Sequence, residues 1–268
     1  MKKSILYVLA ILTLLWSCMT AIPVQAAITP DYEVKFLLDS QRVLDAFHSL
    51  NVQSQTFFHV LEEPSDVQVQ YIDTQQHDFS QAGWTQRMRH KEGKNKLEIT
   101  YKKRYPIANG DIASALQQAA QDGFSQTDTP YKAQIDWGYR NMTLSLSYTQ
   151  KIPGFTALPS AAQARKLAAA RMPAEELQTV SLAKEGTVYG PLTYQKYAGT
   201  LAGQAVDIEV WPVPNTSEYI AELSFKAPTY ADAVKKRKKI QQLLETQQIV
   251  KAEDSLKTTK ILNSTSNL

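Results

Sequence analysis

The stretch Asp31-Tyr32-Glu33-Val34-Lys35-Phe36 decides how this chain is read. Asp31, Glu33 and Lys35 fall on one side, and Tyr32, Val34 and Phe36 on the other. A period of two belongs to a β-strand, in which successive Cβ atoms point to opposite faces. The apolar face asks for a core. The polar face holds two acids and a base in a row, and it lies either in water or in a charged interior.

Later stretches repeat the alternation. Val67 to Thr74 reads as a strand. In Trp84 to Lys91, one face carries Thr85, Arg87, Arg89 and Lys91. In Leu97 to Arg104, one face carries Glu98, Thr100, Lys102 and Arg104, and Glu92-Gly93-Lys94-Asn95 links the two as a hairpin loop. Tyr131 to Trp137 and Arg140 to Gln150 form a second hairpin about Gly138. Further strands are expected at Thr187 to Tyr197, Ala205 to Trp211 and Glu218 to Lys226. Asp39-Ser40 caps a helix with Val43, Leu44, Phe47 and Leu50 on its apolar side. Other helices are expected at Ile112 to Asp122, Ser160 to Arg171, Pro173 to Leu182 and Tyr230 to Ile249. Asp73 and Thr74 suit a turn, because a short polar side chain readily bonds nearby backbone. Asp136 either faces the interior or caps the Gly138 turn.

Most strands therefore have one polar and one apolar face, and helices are few. Closing the sheet removes its edges and puts the polar faces around a lumen. The sorting of charge favours closure over an open, wet sheet. Asp31, Glu33, Lys35, Arg87, Arg89, Lys102, Arg104, Glu209 and Glu222 all share the polar faces. The expected fold class is α+β, with helices packed outside a closed tunnel.

In order and spacing, these motifs resemble the CYTH, or triphosphate tunnel metalloenzyme, family. That family opens with an E-x-E-x-K strand, where this chain has Asp31-Tyr32-Glu33-Val34-Lys35. It continues with Y-F/I-D-T, a Gly loop, R-x-R and L-T-x-K. The counterparts here are Tyr71-Ile72-Asp73-Thr74, Gly83, Arg87-Met88-Arg89 and Ile99-Thr100-Tyr101-Lys102. The family's late V-D-x-F and A-E-x-E strands correspond to Val206-Asp207-Ile208-Glu209 and Ala221-Glu222-Leu223-Ser224. The resemblance spans residues 31–226. It implies an eight-stranded antiparallel tunnel holding a triphosphate-type or polyphosphate-like anion.

It also implies roles. Lys35, Arg87, Arg89, Lys102, Arg104 and Lys196 would clamp phosphate oxygens, for which the planar Arg fork is well shaped. Glu33, Glu209 and Glu222, with Asp31 or Asp207 assisting, would bind Mg²⁺ or Mn²⁺ through oxygen. Glu33, Lys35, Arg87 and Arg89 would form the catalytic core of a phosphohydrolase. Three positions depart from the family pattern. Asp31 is one methylene short, Ser224 stands where a second acid is usual, and Ala198 follows Lys196-Tyr197 in place of Arg. These departures keep a noncatalytic polyanion-binding protein, and a purely structural envelope protein, in view as alternatives.

Composition agrees with one large domain: the 268 residues are 43% hydrophobic and 21% charged. Residues 1–26 read as a signal peptide, with Lys2 and Lys3 before the apolar run Ile5 to Trp16 and a Val24-Gln25-Ala26 cleavage pattern. A periplasmic or secreted protein without stable membrane insertion is expected. Anchoring at Cys18, the sole cysteine, is the alternative. Without the leader, 27 basic and 26 acidic residues leave a charge of +1, which gives no reason to expect nucleic acid. The tunnel domain is expected over 27–250 and a polar tail over 251–268. The run Lys235 to Lys239 reads as a solvated helix face. His48, His59, His77 and His90 have no metal-ligand spacing, and there is no Walker A, HExxH or G-x-S-x-G motif.

Overall fold

The computed structural model describes residues 29–124, 130–177, 186–254 and 257–265. The expected leader and its cleavage site lie outside these residues. Nine strands form the sheet: β1 (Asp31–Leu38), β2 (Ser65–Asp73), β3 (Trp84–Lys91), β4 (Lys96–Ile107), β5 (Lys132–Trp137), β6 (Met142–Pro153), β7 (Thr187–Leu201), β8 (Gln204–Pro212) and β9 (Tyr219–Ala227). They close in the order β1-β5-β6-β4-β3-β2-β7-β8-β9, with β9 pairing back onto β1.

Eight antiparallel strands were expected, and the structure corrects both parts of that expectation. There are nine strands, and β1 and β5 run parallel, with Asp31 opposite Gln134 and Glu33 opposite Asp136. The β5–β6 hairpin enters the barrel between β1 and β4. Alternation reports which face a side chain takes and carries no information on strand direction.

The helices are α1 (Ser40–Val43), α2 (Val52–Phe57), α3 (Asp78–Gln81), α4 (Ile112–Gln121), α5 (Ala161–Arg171), α6 (Ala174–Leu177), α7 (Tyr230–Thr246) and α8 (Lys257–Thr265). The helix expected across Val43 to Leu50 breaks at Leu44. Asp45 draws its carboxylate to the Phe47 and Ser49 amides at 2.8 and 3.0 Å, and Leu44 bridges to Leu50. A short acceptor that binds its own backbone competes with the helix ladder. Phe47 is left 89% exposed, and Asn51 restarts the chain by accepting from the Ser54 amide as the cap of α2.

Two apolar layers sit on opposite sides of the barrel wall. The outer one gathers Tyr32, Val34, Phe36, Met88, Leu97, Ile99, Tyr101, Ile135, Leu144 and Leu223 beneath the helices. The α7 helix seals part of it with Ala233, Ile240 and Leu244. Burying Ile240 and Leu244 contributes about 2 kcal/mol each. Tyr101 also donates its hydroxyl to the Ala168 carbonyl of α5 at 2.7 Å. The run at Lys235 is solvated apart from Arg237, which donates to the Gly138 and Tyr139 carbonyls and lies over Trp137. The second layer is lumenal and includes Leu37, Val67, Val69, Tyr71, Tyr194, Trp211 and Ile220.

The last helix was not expected. Residues 257–265, read as polar tail, form α8 and place Ile261 and Leu262 in the lumenal cluster. Among the described residues, no helix is long and apolar enough to cross a membrane.

Candidate functional site

The polar faces do point inward. Along β1, Tyr32, Val34 and Phe36 are buried under the helices, whereas Asp31, Glu33 and Lys35 alternate with them toward the lumen. Register then sets their neighbours. Arg87 lies opposite Thr100, Thr85 opposite Lys102, and Arg89 opposite Glu98 across β3 and β4. Glu209 lies opposite Glu222 across β8 and β9.

Asp136 is the anionic centre of one side of the lumen. Lys35 donates to it at 2.9 Å, Ser145 donates its hydroxyl at 2.5 Å, and Lys102 stands 3.8 Å away. Of the two roles open to Asp136, the lumenal one holds. The Gly138 turn is capped instead by Asp254, which accepts from the Arg140 amide and the Asn141 side chain. Burial would raise the Asp136 carboxyl, but Lys102 and Lys35 outweigh it and hold the group well below the usual carboxylate range. Lys35 also meets Glu33 at 2.9 Å. Burial pulls on its ammonium, and Asp136 and Glu33 more than offset this, so Lys35 is raised and fully charged.

The remaining cations are less well satisfied. Burial, together with Lys35, Arg104 and Arg87, drives Lys102 down to about 7 despite Asp136. Burial lowers Arg104 as well, and its guanidinium donates to the Thr85 hydroxyl at 2.6 Å. Arg89 has Glu98 at 3.2 Å but keeps a buried Nε without a partner. Arg87 has neither a hydrogen bond nor an ion pair with any described residue, and its Nε is buried. Burial and neighbouring Arg89 lower its guanidinium. Buried cations are ordinarily paired, because water no longer solvates them. Lys102 and Arg104 share one nearby carboxylate, Asp136, which Lys35 already engages. The carboxylate that acts on Arg87 is Glu209, which is already paired with Lys257.

The expected carboxylate ligands do not converge. Asp31 bridges to Lys132 at 2.7 Å, with 44% of its side chain exposed. Glu33 is engaged by Lys35. Glu209 and Glu222 are adjacent, but the Lys257 ammonium of α8 lies between them, 2.5 Å from Glu209 and 2.9 Å from Glu222. Trp211 donates its indole N–H to Glu209 at 3.0 Å and offers its ring face to Lys257. Burial would raise Glu209, yet Lys257 brings it down to about 2. Lys196, opposite Glu209 in the β7–β8 register, pairs with Asp207 at 2.8 Å. Among the described residues, no group of three His, Cys, Asp or Glu side chains is placed to hold a metal ion. The expected set of Glu33, Glu209, Glu222 and Asp31 around one Mg²⁺ or Mn²⁺ therefore does not fit this arrangement.

Asp73 serves structure, as its sequence context suggested. Its carboxylate accepts from the Thr74, Phe79 and Ser80 amides, at 2.8, 2.9 and 3.0 Å, and pins the turn before β3. Lys257 was missed entirely. The available signal was Lys257 with Ile261 four residues on, a helical spacing inside an otherwise polar segment.

The solved structures supply the fold's relatives. The barrel superposes on a protein from Hippeastrum assigned as an adenylyl cyclase and reported to have a dominant triphosphatase activity. The TM-score is 0.54 at 11% identity, covering 86% of this chain and 94% of that one. It also superposes on an assigned adenylate cyclase from Bacillus halodurans, with a TM-score of 0.51 at 13% identity, covering 86% and 96%. The chain has the CYTH, or triphosphate-tunnel, fold. No protein-family model matches the sequence, and no curated protein does. At these identities the CYTH likeness extends to the barrel and leaves the chemistry to this chain's own residues.

Proposed function

We propose that the tunnel binds a triphosphate-type polyanion, inorganic triphosphate or a short polyphosphate, with Arg87, Arg89, Lys102, Arg104 and Lys35 as its cationic clamp. The observation that carries this reading is Arg87, whose buried Nε has no partner and which forms no ion pair with a described residue, beside two further cations that share one carboxylate. A bound phosphoryl group would accept the free N–H donors and neutralise the surplus charge in a site of low dielectric, where such bonds are strong. The leader-like N-terminus supports a site of action in the periplasm or outside the cell.

Isothermal calorimetry with sodium tripolyphosphate tests it. The wild-type protein should bind with a stoichiometry of one. Arg87→Ala should weaken binding 10- to 100-fold, the loss of one or two charge-assisted hydrogen bonds. Equal affinity in Arg87→Ala, or no binding by the folded wild type, would reject the tunnel as a polyanion site.

Metal-dependent hydrolysis is the second reading. The Hippeastrum protein's triphosphatase activity and the adjacent Glu209 and Glu222 favour it. It requires those carboxylates to be free of Lys257. Release of orthophosphate from tripolyphosphate with Mg²⁺ or Mn²⁺, lost in Glu222→Gln, would support it. Absence of release with either ion, in a protein that binds tripolyphosphate, would leave the binding reading alone.

A further inference from the structure

We propose that Lys257 is the resident cation of the Glu209–Glu222 pair, so that the tunnel takes its polyanion without a divalent metal. Two carboxylates directly opposite each other on neighbouring strands repel unless a cation lies between them. They would also repel an incoming phosphate. In this chain the cation is covalently part of the protein. The Lys257 ammonium contacts both carboxylates and rests on the Trp211 ring. Its side chain is only 15% exposed, so the ion pair is sheltered from water and salt.

The lysine is held there by packing. One helical turn on, Ile261 and Leu262 are buried with Val67, Tyr194, Trp211 and Ile220 in the lumenal apolar cluster. Tyr194 and Trp211 stack with ring centroids 3.7 Å apart and form the surface beneath them. Burying two aliphatic side chains stabilises the docked helix and pre-pays the entropy of placing Lys257. Glu222 Oε1 and Glu209 Oε2 are each within 3 Å of Nζ. A monovalent ammonium with three donors thus takes the position that two acids would otherwise offer to a hard divalent ion.

The experiment pairs two readouts on the full-length chain. Tripolyphosphate binding is measured by calorimetry in EDTA, then with Mn²⁺; Mn²⁺ binding is measured alone by electron paramagnetic resonance. The wild type should bind tripolyphosphate in EDTA and should show no stoichiometric Mn²⁺ site by itself. Lys257→Gln should bind tripolyphosphate at least tenfold more weakly in EDTA, recover with Mn²⁺, and gain one Mn²⁺ site that the double variant with Glu222→Gln loses. Lys257→Arg, which keeps the cation, should remain metal-independent. A wild type that needs Mn²⁺ for tripolyphosphate, or that binds one Mn²⁺ through Glu209 and Glu222, overturns the proposal. So does a Lys257→Gln protein that binds as the wild type does in EDTA. The first readout rests on the polyanion reading, whereas the second does not. If no variant binds tripolyphosphate, that reading fails, and the Mn²⁺ pattern alone upholds or overturns the role of Lys257.

Discussion

Replacing Lys102 with Met should stabilise the ligand-free protein while weakening its hold on polyanions. The side chain is 15% exposed, and its ammonium is brought from the ordinary 10.5 to about 7, with burial as the main cause. That value already includes the attraction of Asp136, so the charge is a net burden on the fold. At about 1.4 kcal/mol per pH unit, a displacement from 10.5 to about 7 sets a ceiling of about 5 kcal/mol. Local relaxation and water entry reduce such penalties, and a gain of about 1–3 kcal/mol at pH 6.5 is expected. For a domain of this size that corresponds to a rise of about 3–8 °C in Tm. Met nearly conserves the volume, so packing adds little. The sign with pH follows from linkage. Below about pH 7 the lysine is charged in both states, and the folded state bears the full penalty. Between about 7 and 10.5 the unfolded chain holds a proton that the folded chain has released, so the penalty fades and the variant's advantage fades with it. Thermal melts at pH 6.5, 8 and 9.5, with and without tripolyphosphate, measure all of this. A variant less stable than wild type at pH 6.5, or an advantage that does not shrink as pH rises, would refute the electrostatic account. Tripolyphosphate should also raise the variant's Tm less than the wild type's.

Other substitutions test the framework around the tunnel. Asp73→Ala orphans the amides of Phe79 and Ser80 and should cost about 3 kcal/mol in urea denaturation, with the turn before β3 loosened. A Cβ added at Gly199 would meet the Phe58 carbonyl at 2.5 Å, so Gly199→Ala should lower stability by about 1–3 kcal/mol by spreading that contact. Ile261→Asp buries a carboxylate in the lumenal apolar cluster and should release α8; amides of 257–265 would then exchange rapidly while those of β3 and β4 stay protected.

The barrel was legible because its wall separates two chemistries. In β1, β3, β4 and β6 the alternation of charged or hydroxyl residues with apolar ones separates lumen from helix layer, with Leu37 facing the lumen and Gln86 and Lys103 the outer layer as exceptions. Strand count and direction were not legible, since the parallel β1–β5 pairing depends on where the β5–β6 hairpin docks. The cationic half of the site followed from Arg87 with Arg89, and Lys102 with Arg104, each spaced by two on the polar face of its strand. The acidic half did not. Glu209 and Glu222 are on the expected face, but what lies between them comes from 35 residues beyond Glu222. No periodicity within a strand reports a partner that arrives from a distant helix. The same long-range contact turns Ile261 and Leu262, two apolar residues in a polar stretch, into the anchor of α8.

The most direct test of the account is a crystal structure of the protein grown with tripolyphosphate in EDTA. Phosphate oxygens within hydrogen-bonding distance of the Arg87 guanidinium, inside the barrel, with Lys257 still between Glu209 and Glu222, are the predicted result. A lumen empty of phosphate at saturating tripolyphosphate, or phosphate bound on the outer surface, would contradict it.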